Sequence, residues 1–417
     1  MNNSKTPLIP FALVTSLFLM WGLANNMTDT LLAAFKKIMS MTDFQTSWIQ
    51  FAFYGSYFCL ALPAAIFIKK YTYKAGLLVG LSFFIGGSLL FYPASQTMVY
   101  GHFLAALFIL AGGLSIIETT ANPYVLAMGP SKTATQRLNL AQSFNPIGSI
   151  SGVLLSKFFI LSHLNHAGAD ERAGMSEASL QAIQTEELNA VMGPYVGIAF
   201  VLLFIAILIA LSKMPRAAPT NERVDLIATL KRLIKQKRYT LGVMAQFFYV
   251  GAQIGVWSFM IRYVMLELNV NEEQASSWYV AALVLYLISR FLCTWLMRFI
   301  APRKLLFWVA ALAVLLTTIV ITGSGYIGVG ALVGISGCMS LMFPTIFGIA
   351  AEGLGKDQKI GGSGMIMAIL GGAVLTMIQG QVSDTTGSIK LAYAVPLVCF
   401  LIVAYYAAVS GRIKQET

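Results

Sequence analysis

Charged residues are scarce in this sequence. Asp, Glu, Lys and Arg make up only 11% of its 417 residues, whereas a soluble globular domain carries about 25% charged residues. Apolar side chains account for 57% of the chain, and the mean hydropathy is +0.74. In lipid, only helices and closed barrels satisfy the hydrogen-bonding groups of the backbone. The shortage of charge therefore excludes an ordinary soluble domain and leaves these two membrane architectures.

Several patterns that mark metal and nucleotide sites are also missing. None of the four cysteines is paired at C-x-x-C spacing, so we expect neither a metal site nor a disulfide framework. The three histidines lie in or beside predicted loops, and the phosphate-binding pattern G-x-x-x-x-G-K-[ST] does not occur. We therefore expect no cofactor, no bound metal and no hydrolysis of ATP.

Long apolar runs decide between helices and a barrel. Residues 191–211 and 305–322 form unbroken runs, whereas barrel strands alternate apolar and polar residues. A spanning helix needs roughly 20 apolar residues. The sequence predicts an all-α integral membrane protein with twelve transmembrane helices. The predicted segments are 8–35, 48–68, 75–93, 101–128, 138–162, 191–212, 240–266, 275–298, 305–323, 326–350, 361–383 and 389–411.

The distribution of Lys and Arg predicts the orientation and the domains. Most of the 28 basic residues fall in loops and tails on one side, which is the cytoplasmic side by the positive-inside rule. Both termini are then cytoplasmic, and the net charge of +11 reflects topology rather than a nucleic-acid partner. The basic loop 213–239 predicts an N-terminal six-helix bundle at 1–212 and a C-terminal one at 240–417. Short basic loops at 69–74 and 298–304 are displaced by six helices, as in parallel transporter repeats.

Two acidic residues lie well inside apolar segments. Of the seventeen acids, only Asp29 and Glu118 do so, and a charge at the centre of a bilayer costs at least about 2.5–3.5 kcal/mol. Such residues usually mark a substrate or ion path. The alternatives are a structural partner for a buried Arg or, for Asp29, a position near the outer end of its helix.

Amide side chains share helical spacing with these acids. Neighbours three or four residues apart lie on one side of a helix. The amides at such spacing are Asn25 and Asn26 before Asp29, Asn122 after Glu118, and Asn139, Gln142 and Asn145 on the fifth segment. Amides and carboxylates match sugar hydroxyls, which both donate and accept hydrogen bonds. A carboxyl group in an apolar cavity can also hold a proton and release it on rehydration. Polar side chains along one side of a helix would, by themselves, suit any polar solute.

The C-terminal half offers a different set of candidates and no embedded carboxylate. Its candidate cavity residues include Gln253, Trp257, Arg290 and Phe343. Trp257, like Trp21 in the first segment, can stack on a sugar ring, although packing or an interfacial belt is the commoner role of such aromatics. Arg290 can bind an anionic substrate or a carboxylate of the protein. We expect it to have a buried partner rather than to extend to the membrane surface.

Four segments resemble the fucose:proton symporter family of the major facilitator superfamily. They are 21–32, 118–124, 137–148 and 245–263, and they include the motifs E-T-x-A-N-P and N-L-A-Q-x-F-N. The resemblance covers nearly the whole chain. It implies the major facilitator fold, with two six-helix domains around a central cavity that opens alternately to each side.

The resemblance also implies roles for single residues. The protonation and sugar-binding acids match Asp29 and Glu118, and the sugar-binding amides match Asn26, Gln142 and Asn145. Two positions depart from the family. Pro146 follows Asn145 where fucose permeases carry a smaller residue. Phe343 stands where a close relative carries tyrosine, which removes one polar contact.

The resemblance leaves the sugar open among L-fucose, glucose, galactose and N-acetylglucosamine. It implies a monomeric multi-pass protein of the bacterial inner membrane that binds a neutral monosaccharide and protons. A facilitator or antiporter on the same fold is the second hypothesis. A membrane-embedded enzyme or a sensor is the third, but an enzyme would need a catalytic set, such as clustered His and Asp, that the sequence lacks.

Overall fold

The protein is described by a computed structural model over residues 6–38, 43–160, 171–172, 174–215 and 225–411. Inside helices, the side chains of residues 28–38, 43–48, 50, 157, 189–191 and 272–273 lie outside this description. Regular structure in the described residues is helical throughout, and no strand occurs among them.

The described part of the chain contains seventeen α-helices whose bounds are known. They are α1 (Leu8–Ile38), α2 (Asp43–Lys70), α3 (Tyr73–Thr97), α4 (Tyr100–Ala127), α5 (Ala134–Gln142), α6 (Asn145–Leu155), α7 (Glu177–Leu211), α8 (Leu226–Lys235), α9 (Lys237–Leu268), α10 (Glu272–Leu296), α11 (Pro302–Thr322), α12 (Gly325–Met339), α13 (Met342–Ala351), α14 (Gln358–Met367), α15 (Gly371–Thr386), α16 (Ile389–Ala392) and α17 (Ala394–Ser410). Short 3₁₀ turns cover Ser131–Thr133, Gly355–Asp357 and Ala368–Leu370, and a π turn covers Ser156–Ile160.

Eleven helical stretches in the described part of the chain are long and apolar enough to cross a membrane. They correspond to eleven of the twelve predicted segments. The remaining segment, 138–162, is present as α5, α6 and the π turn Ser156–Ile160. The prediction of an all-helical membrane protein with twelve spanning segments is confirmed.

The fifth predicted segment, 138–162, is interrupted near Pro146. Helix α5 ends at Gln142, and α6 begins at Asn145 with Pro146 in its first turn. Proline lacks a backbone N–H, and its ring clashes with the carbonyl group four residues earlier, which belongs to Gln142. The same proline is well tolerated at a helix start. Pro146 therefore accounts for a new helix beginning at this point.

The tenth and eleventh predicted segments are also interrupted. Segment 326–350 is split into α12 and α13 just before Pro344. Segment 361–383 is split into α14 and α15 by the 3₁₀ turn Ala368–Leu370. Prolines and local 3₁₀ adjustments are common in membrane helices, because neighbouring groups satisfy the freed backbone.

The described chain forms two compact units. The first unit comprises Leu8–Ala121 and Phe144–Arg216. Within it, α1 packs along α6 and α3 packs along α7. A side chain at Gly148 would collide with the backbone of Leu19, and one at Gly152 would collide with that of Leu23. Glycine at these two positions lets the backbones of α1 and α6 approach closely, as is usual between membrane helices.

The second unit comprises Met1–Pro7, Asn122–Ser143 and Ala217–Thr417. Helix α9 packs against α10, α12, α13, α15 and α17. Helix α5 packs against α13, where a side chain at Gly348 would meet Thr135. The predicted division into bundles at 1–212 and 240–417 stays a prediction.

Candidate functional site

Glu118 is buried in the first unit beside a tyrosine and a tryptophan. The residue lies in α4 and is only 3% exposed. Its carboxylate interacts electrostatically with Tyr57 in α2, whose hydroxyl oxygen accepts a hydrogen bond of 2.5 Å from Nε1 of Trp21 in α1. The Ser115 hydroxyl donates to the Tyr57 carbonyl oxygen at 3.0 Å. The predicted site residues Trp21 and Glu118 are thus linked through Tyr57.

Tyr57 is a candidate that the sequence patterns did not single out. Its side chain is 1% exposed and lies in the spanning helix α2. A buried tyrosine hydroxyl usually finds a hydrogen-bond partner. The partner, Trp21, is 36 residues away, so helical spacing does not reveal it.

The predicted amides that lie on α1 and α6 bind the backbone of α1. Nδ2 of Asn26 donates to the Gly22 carbonyl oxygen at 3.3 Å. Nδ2 of Asn145 donates to the Phe18 carbonyl oxygen at 3.4 Å, and Asn145 is 8% exposed. Asp29 follows Asn26 within α1, but its side chain lies outside the described residues.

The predicted amides of α4 and α5 pair with each other. Nε2 of Gln142 donates to Oδ1 of Asn122 at 2.7 Å, and both side chains are buried. Asn139 instead donates from Nδ2 to the Thr345 hydroxyl at 3.2 Å. Asn139, Gln142 and Asn145 therefore bind three different partners. The two residues between α5 and α6 keep right-handed helical backbone angles, so the expectation that the three amides share one side of the helix stays a prediction.

A second cluster surrounds Tyr286 in α10. Nε2 of Gln253 donates to the Tyr286 hydroxyl at 3.2 Å. The Trp257 ring meets the Tyr286 ring edge-on at 5.2 Å between centroids, and its Nε1 donates to the Ser336 hydroxyl at 3.2 Å. Tyr286, which the sequence patterns also missed, thus joins the predicted residues Gln253 and Trp257.

Arg290 completes this cluster one helical turn after Tyr286. Its Nη2 donates to the Tyr286 hydroxyl at 3.3 Å, and its guanidinium carbon lies 5.3 Å from the centroid of the same ring. The side chain is 2% exposed, which agrees with the expectation of burial. Among the described residues, neither Nε nor Nη1 of Arg290 has a hydrogen-bond partner. A buried donor without a partner lowers the stability of the protein. A ligand with several oxygen atoms would accept hydrogen bonds from both of these nitrogens.

Phe343 contributes an apolar surface only. Its ring, 9% exposed, meets the ring of Tyr249 edge-on at 6.5 Å between centroids. The Tyr249 hydroxyl donates to the Met339 carbonyl oxygen at 2.9 Å. The nearby tyrosine is therefore already bound to the backbone, and it does not replace the hydroxyl that Phe343 lacks.

Metal and thiol chemistry find no support in the described part of the chain. No group of three or more His, Cys, Asp or Glu side chains there is arranged to hold a metal ion. The four cysteines are free, with Cys59 exposed and the other three buried.

Comparison with known proteins places these helices in a family. The profile of the Major Facilitator Superfamily matches residues 13–367. The chain belongs to this superfamily. The L-fucose-proton symporter of Haemophilus influenzae is 38% identical over 99% of this chain and 98% of its own. The glucose/galactose transporter of Brucella abortus is 33% identical over 96% and 93%.

A solved structure of the superfamily supports the same assignment. FucP, a major facilitator superfamily transporter solved in the outward conformation, superposes with a TM-score of 0.92. It is 39% identical, and the match covers 97% of this chain and 99% of FucP. The resemblance to fucose:proton symporters and the major facilitator fold are confirmed. These superfamily relatives are transporters, so the hypothesis of a membrane-embedded enzyme is excluded.

The Asn122–Gln142 pair yields a prediction about stability. Asn122→Leu or Gln142→Leu alone leaves a buried amide without its partner, so each should cost about 1–3 kcal/mol of stability. The double variant should lose less than the sum, because both partners are then apolar. Thermal unfolding of detergent-purified protein can be followed through reaction of the buried thiols with a fluorogenic maleimide. Ser82→Ala, which removes an exposed hydroxyl bound to its own helix, is the control. Additive losses would contradict the pairing.

Proposed function

We propose that this protein is a proton-coupled symporter of a neutral monosaccharide, with L-fucose as the first candidate. The observation that carries the proposal is Glu118, a carboxyl group that is 3% exposed within a spanning helix and lies beside Tyr57 and Trp21. An ionisable group in such a place usually serves transport of ions or substrate. The similarity to a protein named as an L-fucose-proton symporter supports the same function.

The proton path rests on Asp29 and Glu118. Both lie in apolar spanning helices, α1 and α4. Glu118 exchanges its proton when its surroundings gain or lose water, and it accepts hydrogen bonds from sugar hydroxyls when it is ionised. Asp29 lies nearer the outer side in the predicted topology and takes protons from that side. We assign both residues to coupling and Glu118 also to binding.

The sugar contacts are those that the polar side chains of each unit offer. In the first unit, Trp21 and Asn145 have the required chemistry, and Asn26 adds an amide. In the second unit, the Asn122–Gln142 pair offers donors and acceptors. The Tyr286 cluster adds Gln253, Trp257 and the two unpartnered nitrogens of Arg290. Phe343 provides an apolar contact.

A second candidate is transport of glucose, galactose or N-acetylglucosamine, by symport or by facilitated exchange. The Brucella relative named as a glucose/galactose transporter supports it at 33% identity. Phe343 also supports it, because the missing hydroxyl changes the set of polar contacts. Competition of labelled L-fucose uptake by a panel of unlabelled sugars separates the two candidates.

We further propose the orientation and setting of the protein. The Lys and Arg distribution places both termini and the loop 213–239 in the cytoplasm. We also propose that the protein is a monomer in the bacterial inner membrane. Its lysines and arginines serve topology, and no nucleic acid is a partner.

Proton coupling predicts movement of protons with sugar. Adding L-fucose to weakly buffered cells that express the protein should alkalinise the medium. A gradient of one pH unit at one proton per sugar supplies about 1.4 kcal/mol, which supports roughly tenfold accumulation. A protonophore should abolish the accumulation. Accumulation that a protonophore leaves unchanged would exclude coupling to protons.

Neutral replacements of the two acids predict distinct defects. Asp29→Asn should abolish uphill uptake but keep part of sugar-for-sugar exchange, because exchange moves no net proton. Glu118→Gln keeps the shape and a donor and should also retain exchange, whereas Glu118→Ala should lose binding as well. Asp384→Asn changes an exposed acid and is the control. Normal accumulation by Asp29→Asn would remove Asp29 from the coupling mechanism.

Tyr286→Phe tests whether Tyr286 positions Gln253 and Arg290. The change removes the oxygen that both side chains bind and keeps the edge-on contact with Trp257. Loss of hydrogen bonds that involve a charged group costs about 1.5–3 kcal/mol, so the KM for L-fucose should rise roughly 10- to 100-fold with little change in kcat. Tyr326→Phe, at a 72% exposed tyrosine, is the matched control. An unchanged KM would show that the hydroxyl has no positioning role.

The proposed orientation predicts which loops a membrane-impermeant thiol reagent reaches. Exposed Ser179 should lie outside and exposed Ser131 inside. In intact cells that carry the Cys59→Ser background, Ser179→Cys should be labelled, whereas Ser131→Cys should react only after the membrane is opened. The reverse pattern would overturn the orientation.

A further inference from the structure

Helix α8 lies beside the point where a spanning helix begins. It covers Leu226–Lys235 and is separated from α9, which starts at Lys237, by Gln236 alone. Because a helix advances about 1.5 Å per residue, the end of α8 is within a few ångströms of the start of α9. The C-terminal end of α8 is therefore close to the membrane boundary, whichever side that boundary faces.

The rotation of α8 about its axis is fixed by contacts within the second unit. Thr229 and Leu233 are buried at 1% and 2% exposure. The Arg232 guanidinium donates to both carboxylate oxygens of Asp357, from Nε and from Nη2, at 2.8 Å each. Such bidentate pairs are strong and geometrically specific. The residues on the opposite side of α8 are consequently held outward.

Three large apolar side chains occupy that outward side. Ile227 and Ile234 are each 68% exposed, and Leu230 is 36% exposed. Their spacing of three and four residues places them on one stripe of the helix. The described residues bury little of this stripe. A short basic helix with an apolar stripe is typical of helices that lie in the membrane interface.

Two lysines border the stripe. Lys231 and Lys235 directly follow Leu230 and Ile234 and are exposed, so each is turned about 100° from the apolar residue before it. One edge of the stripe thus carries two positive charges. Clusters of Lys and Arg next to a spanning helix attract anionic lipid headgroups.

We propose that α8 binds the bilayer surface, with Ile227, Leu230 and Ile234 inserted among acyl chains and Lys231 and Lys235 on anionic phospholipid headgroups. The partner of this surface is lipid rather than a soluble protein. The apolar stripe matches the acyl chains of a leaflet, and the positive edge matches its anionic headgroups. Arg232 and Asp357 anchor the helix to the second unit while its other side contacts lipid.

Spin labels on the full-length protein test this surface. Single cysteines at Ile227, Ile234, Lys231 and, as the water-exposed control, Ser131 are labelled in a cysteine-free background and reconstituted in nanodiscs. The discs contain phosphatidylcholine alone or phosphatidylcholine with phosphatidylglycerol. We expect labels at Ile227 and Ile234 to collide more with oxygen than with a water-soluble nickel chelate, and the control to show the reverse. Phosphatidylglycerol should move the label at Ile234 deeper, and Lys231→Gln/Lys235→Gln should abolish that shift.

Each other outcome overturns part or all of the proposal. If labels at Ile227 and Ile234 collide with the nickel chelate as often as the label at Ser131 does, α8 faces water. Immersed labels that do not respond to phosphatidylglycerol would refute recognition of anionic headgroups. Gel-filtration profiles that match the unlabelled protein confirm that these exposed positions tolerate the label.

Discussion

A bilayer offers no hydrogen-bond partners, so a polar side chain within a spanning helix must find one in the protein or in a ligand. Many polar groups in this chain meet that demand nearby. Gln142 pairs with Asn122, Asn139 pairs with Thr345, and the Thr294 hydroxyl donates to the backbone of its own helix. These pairings hold the buried amides in single orientations. Side chains that are already paired lose less freedom when a substrate binds, which reduces the cost of binding.

The exceptions to this rule are informative. Among the described residues, the buried amides of Gln246 and Gln379 and two nitrogens of Arg290 have no hydrogen-bond partner. Leaving such a buried group without a hydrogen bond costs about 1–3 kcal/mol of stability. Arg290 differs from the two glutamines because it belongs to the Tyr286 cluster, where Gln253 and Trp257 also present polar atoms. Unpaired donors that lie beside other polar groups are typical of binding surfaces, which is why Arg290 is among the proposed sugar contacts.

The apolar runs and the basic loops predicted the twelve segments and the fold, because both depend on composition over a whole helix. The polar partners were predicted less well. Depth within an apolar segment selected Glu118, helical spacing selected Asn122 and Gln142, and all three side chains are buried. Spacing also misses any group whose partner lies on another helix. Tyr57, whose partner Trp21 lies on another helix, was overlooked for that reason. Tyr286 lies four residues before its partner Arg290 on the same helix, so spacing could have found it.

Tyr57 and Tyr286 also show how two halves of one fold diverge. Each lies on the second spanning helix of its half and contacts a tryptophan of the first, Trp21 or Trp257. This correspondence is what parallel repeats predict. In one half the tyrosine lies beside a carboxylate, and in the other its hydroxyl accepts from Arg290. Taken separately, each of these two groups can bind sugar hydroxyls, because a carboxylate accepts hydrogen bonds from hydroxyls and a guanidinium donates hydrogen bonds to them.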